Sequence, residues 1–175
     1  MDRIVLVGFM GAGKTATGRA LARHLGWDFL DVDEVVEARA GRSIPEIFRS
    51  SGENAFRELE EEIAAEALEA RESVVATGGG WAAVEGRLAS LPEGTLSVWL
   101  RVTPETAVER AALDGDTRPL LAGSDPLRAA TELLDRRTPG YAAADVRVDT
   151  EGRSVDDVTR RILEILEEIE SENRR

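Results

Sequence analysis

The chain has no cysteine in its 175 residues, so neither a disulfide framework nor a thiolate metal site is open to it. It also lacks long hydrophobic runs: none approaches the ~20 residues needed to span a bilayer. The N-terminus passes almost directly into Ile4-Val5-Leu6-Val7, without a charged lead-in, a signal-length apolar core or a small-residue cleavage site. A cytoplasmic location with no membrane partner is therefore expected. A net positive charge is lacking too, since 34 acidic residues outnumber 22 basic ones. The formal net charge is −12, which argues against nucleic acid as a partner, because binding a phosphate backbone needs basic surface. An anionic ligand would then need a local cluster of arginines inside an acidic shell. Lysine is nearly absent: Lys14 stands alone against 21 arginines. In a chain biased towards arginine, one compact, flexible ammonium kept at a single place draws attention to that place.

What is present reads as one compact domain, about 1–170, with a frayed tail at 171–175. Apolar and polar residues alternate between strand and helix patterns along the chain. A buried strand covers 3–8, and a helix covers 14–25 with Leu21 and Leu25 on one face. A short strand at 28–31 precedes helical patterns at about 33–40, 44–50 and 53–70. Further strands cover 73–76, 95–100 and 146–148. Thr103-Pro104 opens a helix with Thr as N-cap and Pro in the first turn. A loop rich in Gly, Asp and Pro spans about 113–126, a helix follows to about 137, and an amphipathic helix capped by Ser154 closes the domain at 154–170. Strands alternating with helices imply an α/β fold of three layers, with a parallel sheet covered on both faces. Acidic runs such as Glu58-Glu60-Glu61-Glu62 read as solvated helix faces.

The sharpest motif is Gly8-Phe9-Met10-Gly11-Ala12-Gly13-Lys14-Thr15, which fits G-x-x-x-x-G-K-S/T with an apolar strand before it and a helix after it. Such a P-loop turns consecutive backbone N–H groups inward around phosphates, and the following helix adds the positive end of its dipole. Lys14 would neutralise the β- and γ-phosphates, and the Thr15 hydroxyl would ligate Mg²⁺. The ATP contacts expected here are Gly11, Ala12, Gly13, Lys14, Thr15 and Ala16.

A P-loop alone does not separate a kinase from a switch or an ATPase. Asp31-Val32-Asp33 lies at the carboxyl end of the second strand, where ligands of open α/β sheets bind. Strand alternation would point both carboxylates to one side, although Asp33 could equally cap the next helix. Gly78-Gly79-Gly80 ends the third strand and permits close approach of a ligand to the backbone. Read alone, Arg57 is a surface ion-pairing residue, Arg118 is a charge in a lid or a plain loop, and Arg137 before Thr138-Pro139 is ambiguous. A guanine-reading Asn-Lys-x-Asp motif is impossible, because the only lysine is Lys14.

Together these pieces resemble the motif series of the shikimate kinases: Gly8 to Ala20, Asp31-Val32-Asp33, Gly41 to Phe48, Gly52-Glu53 with Phe56-Arg57, Gly78-Gly79-Gly80, Arg118-Pro119-Leu120-Leu121 and Arg137-Thr138-Pro139. The resemblance covers essentially the whole chain. It implies a five-stranded parallel sheet of the nucleoside-monophosphate-kinase type, with a lid at about 113–125 and a helical substrate-binding region at about 33–62. It implies a monomer that transfers the ATP γ-phosphoryl group to the 3-hydroxyl of shikimate, with Mg²⁺ as cofactor. By position, Lys14, Asp33 and Arg118 would be catalytic, and Asp31 would support Mg²⁺ through water. Asp33, Arg57, Gly79, Gly80 and Arg137 would hold shikimate, and Arg118 would come down on the phosphates. On the adenine side the candidates are Arg110 and Arg153.

The chain departs from the family pattern in two places. After Arg137 it reads Pro139-Gly140-Tyr141 where the family has Pro-Leu-Tyr, and it reaches the last strand one residue early. Counting back from Val148 would select Arg136, whereas spacing from Arg118 selects Arg137. Trp81 after the glycines is atypical and would reshape that wall of the pocket.

Overall fold

The computed structural model describes residues 1–113 and 125–173. Five strands form one parallel sheet in the order β2-β3-β1-β4-β5: β1 Arg3–Val7, β2 Asp28–Asp31, β3 Ser73–Ala76, β4 Thr95–Arg101 and β5 Val146–Asp149. Helices α1 Lys14–Leu25, α2 Val32–Ala40, α3 Ile44–Ala67, α4 Pro104–Leu113, α5 Pro126–Tyr141 and α6 Val155–Asn173 flank it. Helix α1 packs on α6, α2 on α3, and α4 on α5. The core is the unbroken apolar run of β1, with Val74, Val75, Val98 and Leu100 beside it and Leu21, Ile63 and Ile162 from the helices. A strand covered on both faces has no solvent side to supply with polar residues, which is why β1 does not alternate. Among the described residues no helix is long and apolar enough to cross a membrane.

The sheet register positions the site. Leu6 of β1 pairs with Ala76 of β3, and Ala76 pairs with Asp31 of β2. Three strand ends therefore come level, so the loops leaving at Gly8, Val32 and Thr77 open on one edge. Gly8 has φ +138, and a Cβ there would collide with the Leu100 carbonyl. The chain can turn off β1 against β4 only without a side chain.

Several boundaries differ from those expected, each for a physical reason. The helices expected at 44–50 and 53–70 form one element, α3, broken by Gly52 at φ 84, ψ 170 and ending at Ala67. The bend brings Phe48 and Phe56 to a centroid separation of 5.0 Å. Helix α5 continues through Pro139 to Tyr141 instead of stopping at Arg137. An internal proline removes a backbone bond and costs about 3 kcal/mol, yet tertiary packing prevails here. Tyr141 is fully buried, and Gly140 lies so close to the 3₁₀ turn Trp81–Ala83 that a Cβ would meet the Ala82 carbonyl. Helix α6 runs on to Asn173, beyond the end expected at 170. Its start matches expectation: Ser154 Oγ accepts from the Asp157 N–H at 3.1 Å, while Ser154 Oγ donates to Asp157 Oδ2 at 2.6 Å.

Candidate active site

Beyond the level strand ends lies a cleft with a cavity of about 350 Å³. One side is the P-loop. Gly11 and Gly13 adopt left-handed φ of 72° and 86°, and Gly11, Gly13, Lys14, Thr15 and Ala16 face the cavity. Ala12 does not: it is buried beneath the loop, and its N–H donates to the Phe9 carbonyl at 3.2 Å. The Lys14 ammonium lies inside the loop, donating to the carbonyls of Gly8 (2.9 Å) and Phe9 (3.1 Å). Arg110, on α4, lines the same end. It donates to the Gly11 carbonyl at 2.8 Å and the Thr150 carbonyl at 3.2 Å, tying the loop to the turn after β5. Arg153, the other adenine-side candidate, is exposed outside the cleft lining, where its N–H closes a turn onto the Thr150 carbonyl. Arg118 and residues 114–124 of the expected lid lie outside the described residues.

The acidic triplet meets the loop at its centre, for a reason other than strand alternation. Helix α2 begins at Val32, and Asp31 is its N-cap: Asp31 Oδ1 accepts from the N–H groups of Asp33 (3.0 Å) and Glu34 (3.4 Å). Its other oxygen, Oδ2, accepts from Thr15 Oγ1 at 2.5 Å. Asp31 is thus locked between two helix starts, and Asp33, in the first turn of α2, lines the cavity. Capping, which satisfies the orphan amides of a helix start, leaves both Asp31 and Asp33 on the cavity lining. Among the described residues no group of three or more His, Cys, Asp or Glu is suited to hold a metal ion. A hydroxyl and one carboxylate are hard oxygen donors, and they suit a cation such as Mg²⁺ that takes few protein ligands and completes its shell with water and phosphate.

The opposite side of the cleft is built from α3, α5 and the turn after β3. Arg57 and Arg137 both line it with Gly79 and Gly80. Arg137 is 7% exposed and lines the cleft, whereas Arg136 faces solvent. Among the described residues no carboxylate comes within ion-pair distance of Arg137, whose guanidinium lies over the Phe9 ring, 5.9 Å from its centroid. The glycines are needed because arginine and glutamate crowd the turn. A Cβ at Gly80 would come within 2.6 Å of Arg57 Nη1, and one at Gly78 would collide with Glu60 Oε1.

Glu60 is the residue that sequence reasoning missed. Expected on a solvated face, it is 2% exposed and accepts from Arg57 Nη1 at 2.7 Å. The i,i+3 spacing from Arg57 was a legible signal, but it lay inside a run of acids that are mostly solvated. Burial pushes the Glu60 carboxyl above its usual range, against the pull of Arg57, Arg137 and Arg87. A carboxyl whose pKa is raised by folding binds its proton more tightly in the native state. Stability linked to it is therefore lost as pH rises from the ordinary value of 4.5 through the folded value. Glu60→Gln removes that titration. The melting temperature of the variant minus that of the parent should climb with pH across this window in calorimetric scans. A pH-independent difference would place Glu60 in a water-like environment instead.

Comparison with known proteins gives a consistent picture. The family model for shikimate kinase matches residues 10–167. A shikimate kinase of Moorella thermoacetica is 52% identical over 163 residues, covering 93% of each chain. The structure of an Acinetobacter baumannii shikimate kinase in complex with shikimate superposes with a TM-score of 0.88 at 35% identity, covering 95% of this chain and 93% of that one. A gluconokinase from Sinorhizobium meliloti, at 22% identity and a TM-score of 0.56 over 90% of this chain and 87% of that one, shares the fold alone.

Proposed function

The chain belongs to the shikimate kinase family, and from that premise we propose that its cleft transfers the ATP γ-phosphoryl group to the 3-hydroxyl of shikimate, giving shikimate 3-phosphate and ADP. The observation that carries this reading is Arg137: a buried guanidinium with no carboxylate in ion-pair reach among the described residues, beside Arg57 and in the same cleft as the P-loop. A buried cation facing a cavity is costly unless an anion completes it. A planar fork suits a carboxylate.

ATP phosphates would lie in the loop of Gly11, Gly13, Lys14, Thr15 and Ala16, with Lys14 contributing charge at the transferring group. Thr15 and Asp31 are the residues that would hold Mg²⁺, Asp31 through water, and the ion would supply charge neutralisation between phosphates. Asp33, between loop and acceptor, would orient the 3-hydroxyl and accept its proton as the acceptor oxygen bonds to phosphorus and the bond to the ADP oxygen breaks. Arg57 and Arg137 would grip the carboxylate, with Gly79 and Gly80 against the ring, and Arg118 would add positive charge to the phosphates. Residues 1–170 would work as one kinase unit, with the acceptor region at about 33–62. The protein would act as a monomer in the cytoplasm.

The test is ADP release with shikimate, with gluconate and with no acceptor. Shikimate should stimulate release strongly over both other conditions. Equal release with gluconate would reassign the acceptor, and release independent of any acceptor would make the protein an ATPase.

A further inference from the structure

Tyr141 is the only tyrosine in the chain. It lies one helical turn beyond Arg137, on the same face of α5. Its ring is fully buried and packs on Trp99 with 5.9 Å between centroids. Phenylalanine would fill that apolar space equally well, and a buried hydroxyl is a cost unless it is bonded. The Tyr141 hydroxyl donates to the carbonyl of Gly79 and is itself in hydrogen-bonding contact with the Arg137 guanidinium. Burial pushes its pKa up to about 12, with Arg137 pulling the other way, so the hydroxyl remains a donor at neutral pH.

Gly79 is where three parts of the cleft meet. A Cβ placed on it would stand 3.4 Å from Arg137 Nη1 and 3.5 Å from the Met10 nitrogen of the P-loop. The neighbouring groups of the turn are already engaged: the Thr77 N–H on Leu6, and the Gly78 carbonyl by the Trp81 N–H. The Gly79 carbonyl and the Gly80 N–H belong to one planar peptide unit and point in opposite directions. Holding the carbonyl therefore sets the direction of the N–H on the cavity wall. Among the described residues that N–H donates to no backbone or side-chain acceptor.

We propose that Tyr141 is a positioning residue of the acceptor subsite: by holding the Gly79 carbonyl it aims the Gly80 N–H into the cleft at a fixed spacing from the Arg137 guanidinium, and so sets affinity for a small hydroxylated carboxylic acid. This rests on the functional reading above. The nucleotide side of the cleft does not depend on it, so the two substrates should respond differently.

Tyr141→Phe should raise the shikimate KM about tenfold, the cost of one buried hydrogen bond with its acceptor left unmade. The KM for ATP and kcat should stay within about twofold. A general packing defect would move both KM values and the melting temperature together. A second measurement leaves the side chain in place: growth on 3-fluorotyrosine labels position 141 alone, and its ¹⁹F resonance should shift on adding shikimate and not on adding ADP. A parent inert towards shikimate overturns the functional reading and this proposal with it. A parent active on shikimate overturns this proposal alone if Tyr141→Phe matches it in both KM values, or if saturating shikimate leaves the fluorine resonance unmoved.

Discussion

Lys14→Ala is expected to lower kcat about 10²–10³-fold, the usual loss when one preorganised positive group is removed from a developing negative charge, while the fold survives. The P-loop owes its shape to other interactions: left-handed Gly11 and Gly13, the Ala12 N–H on the Phe9 carbonyl, the Thr17 N–H on the Gly13 carbonyl, and the Arg110 clamp. Lys14 donates to the Gly8 and Phe9 carbonyls without forming the loop's backbone, so its removal should leave circular dichroism unchanged. Lys14→Arg should also be poor, because a planar fork does not fit where a three-donor ammonium fits between two carbonyls. ADP release measured beside circular dichroism decides the matter, and a well-folded alanine variant with near-parent turnover would remove Lys14 from the chemistry.

Arg137→Ala should raise the shikimate KM from roughly 30-fold to several thousand-fold, following from the about 2–5 kcal/mol lost when a buried charge pair is truncated. ATP binding should remain close to the parent's. Arg136→Ala, one residue away on the solvent face, should behave as the parent does. A shikimate analogue with its carboxylate replaced by a neutral amide should be a poor substrate for the parent and lose little more in Arg137→Ala, since both changes remove the same pair. If Arg136→Ala carried the carboxylate-specific loss, the geometry of α5 would be assigned wrongly. If neither variant did, shikimate would lose its main physical support as the acceptor.

How far each element was legible from the sequence depended on how local its cause is. The P-loop was readable because its requirements are local: glycines at left-handed φ, an amide-lined turn, a helix start and one lysine, all within eight consecutive residues. The parallel sheet was readable because strands buried on both faces give short apolar runs that no solvent-facing strand would carry. Asp31 and Asp33 were located correctly by their place at a strand end, but the expected cause, strand alternation, was replaced by an N-cap once the helix began at Val32.

Non-local causes were out of reach. The helix expected to end at about 137 runs on through Pro139, because burial of Tyr141 and the close approach of Gly140 to the Trp81–Ala83 turn outweigh one missing backbone bond. The choice between Arg136 and Arg137 turned on which side of α5 faces the cleft, and sequence spacing measured from two directions gave two answers. Glu60 looked like its solvated neighbours until packing placed it under Gly78 against Arg57. The P-loop side of the cleft could be read from the residues alone, since eight consecutive residues of backbone build it. How Arg57, Arg137, Gly79 and Gly80 come to line one wall of the cleft became visible only after folding, because α3, α5 and the turn after β3 bring together segments some eighty residues apart.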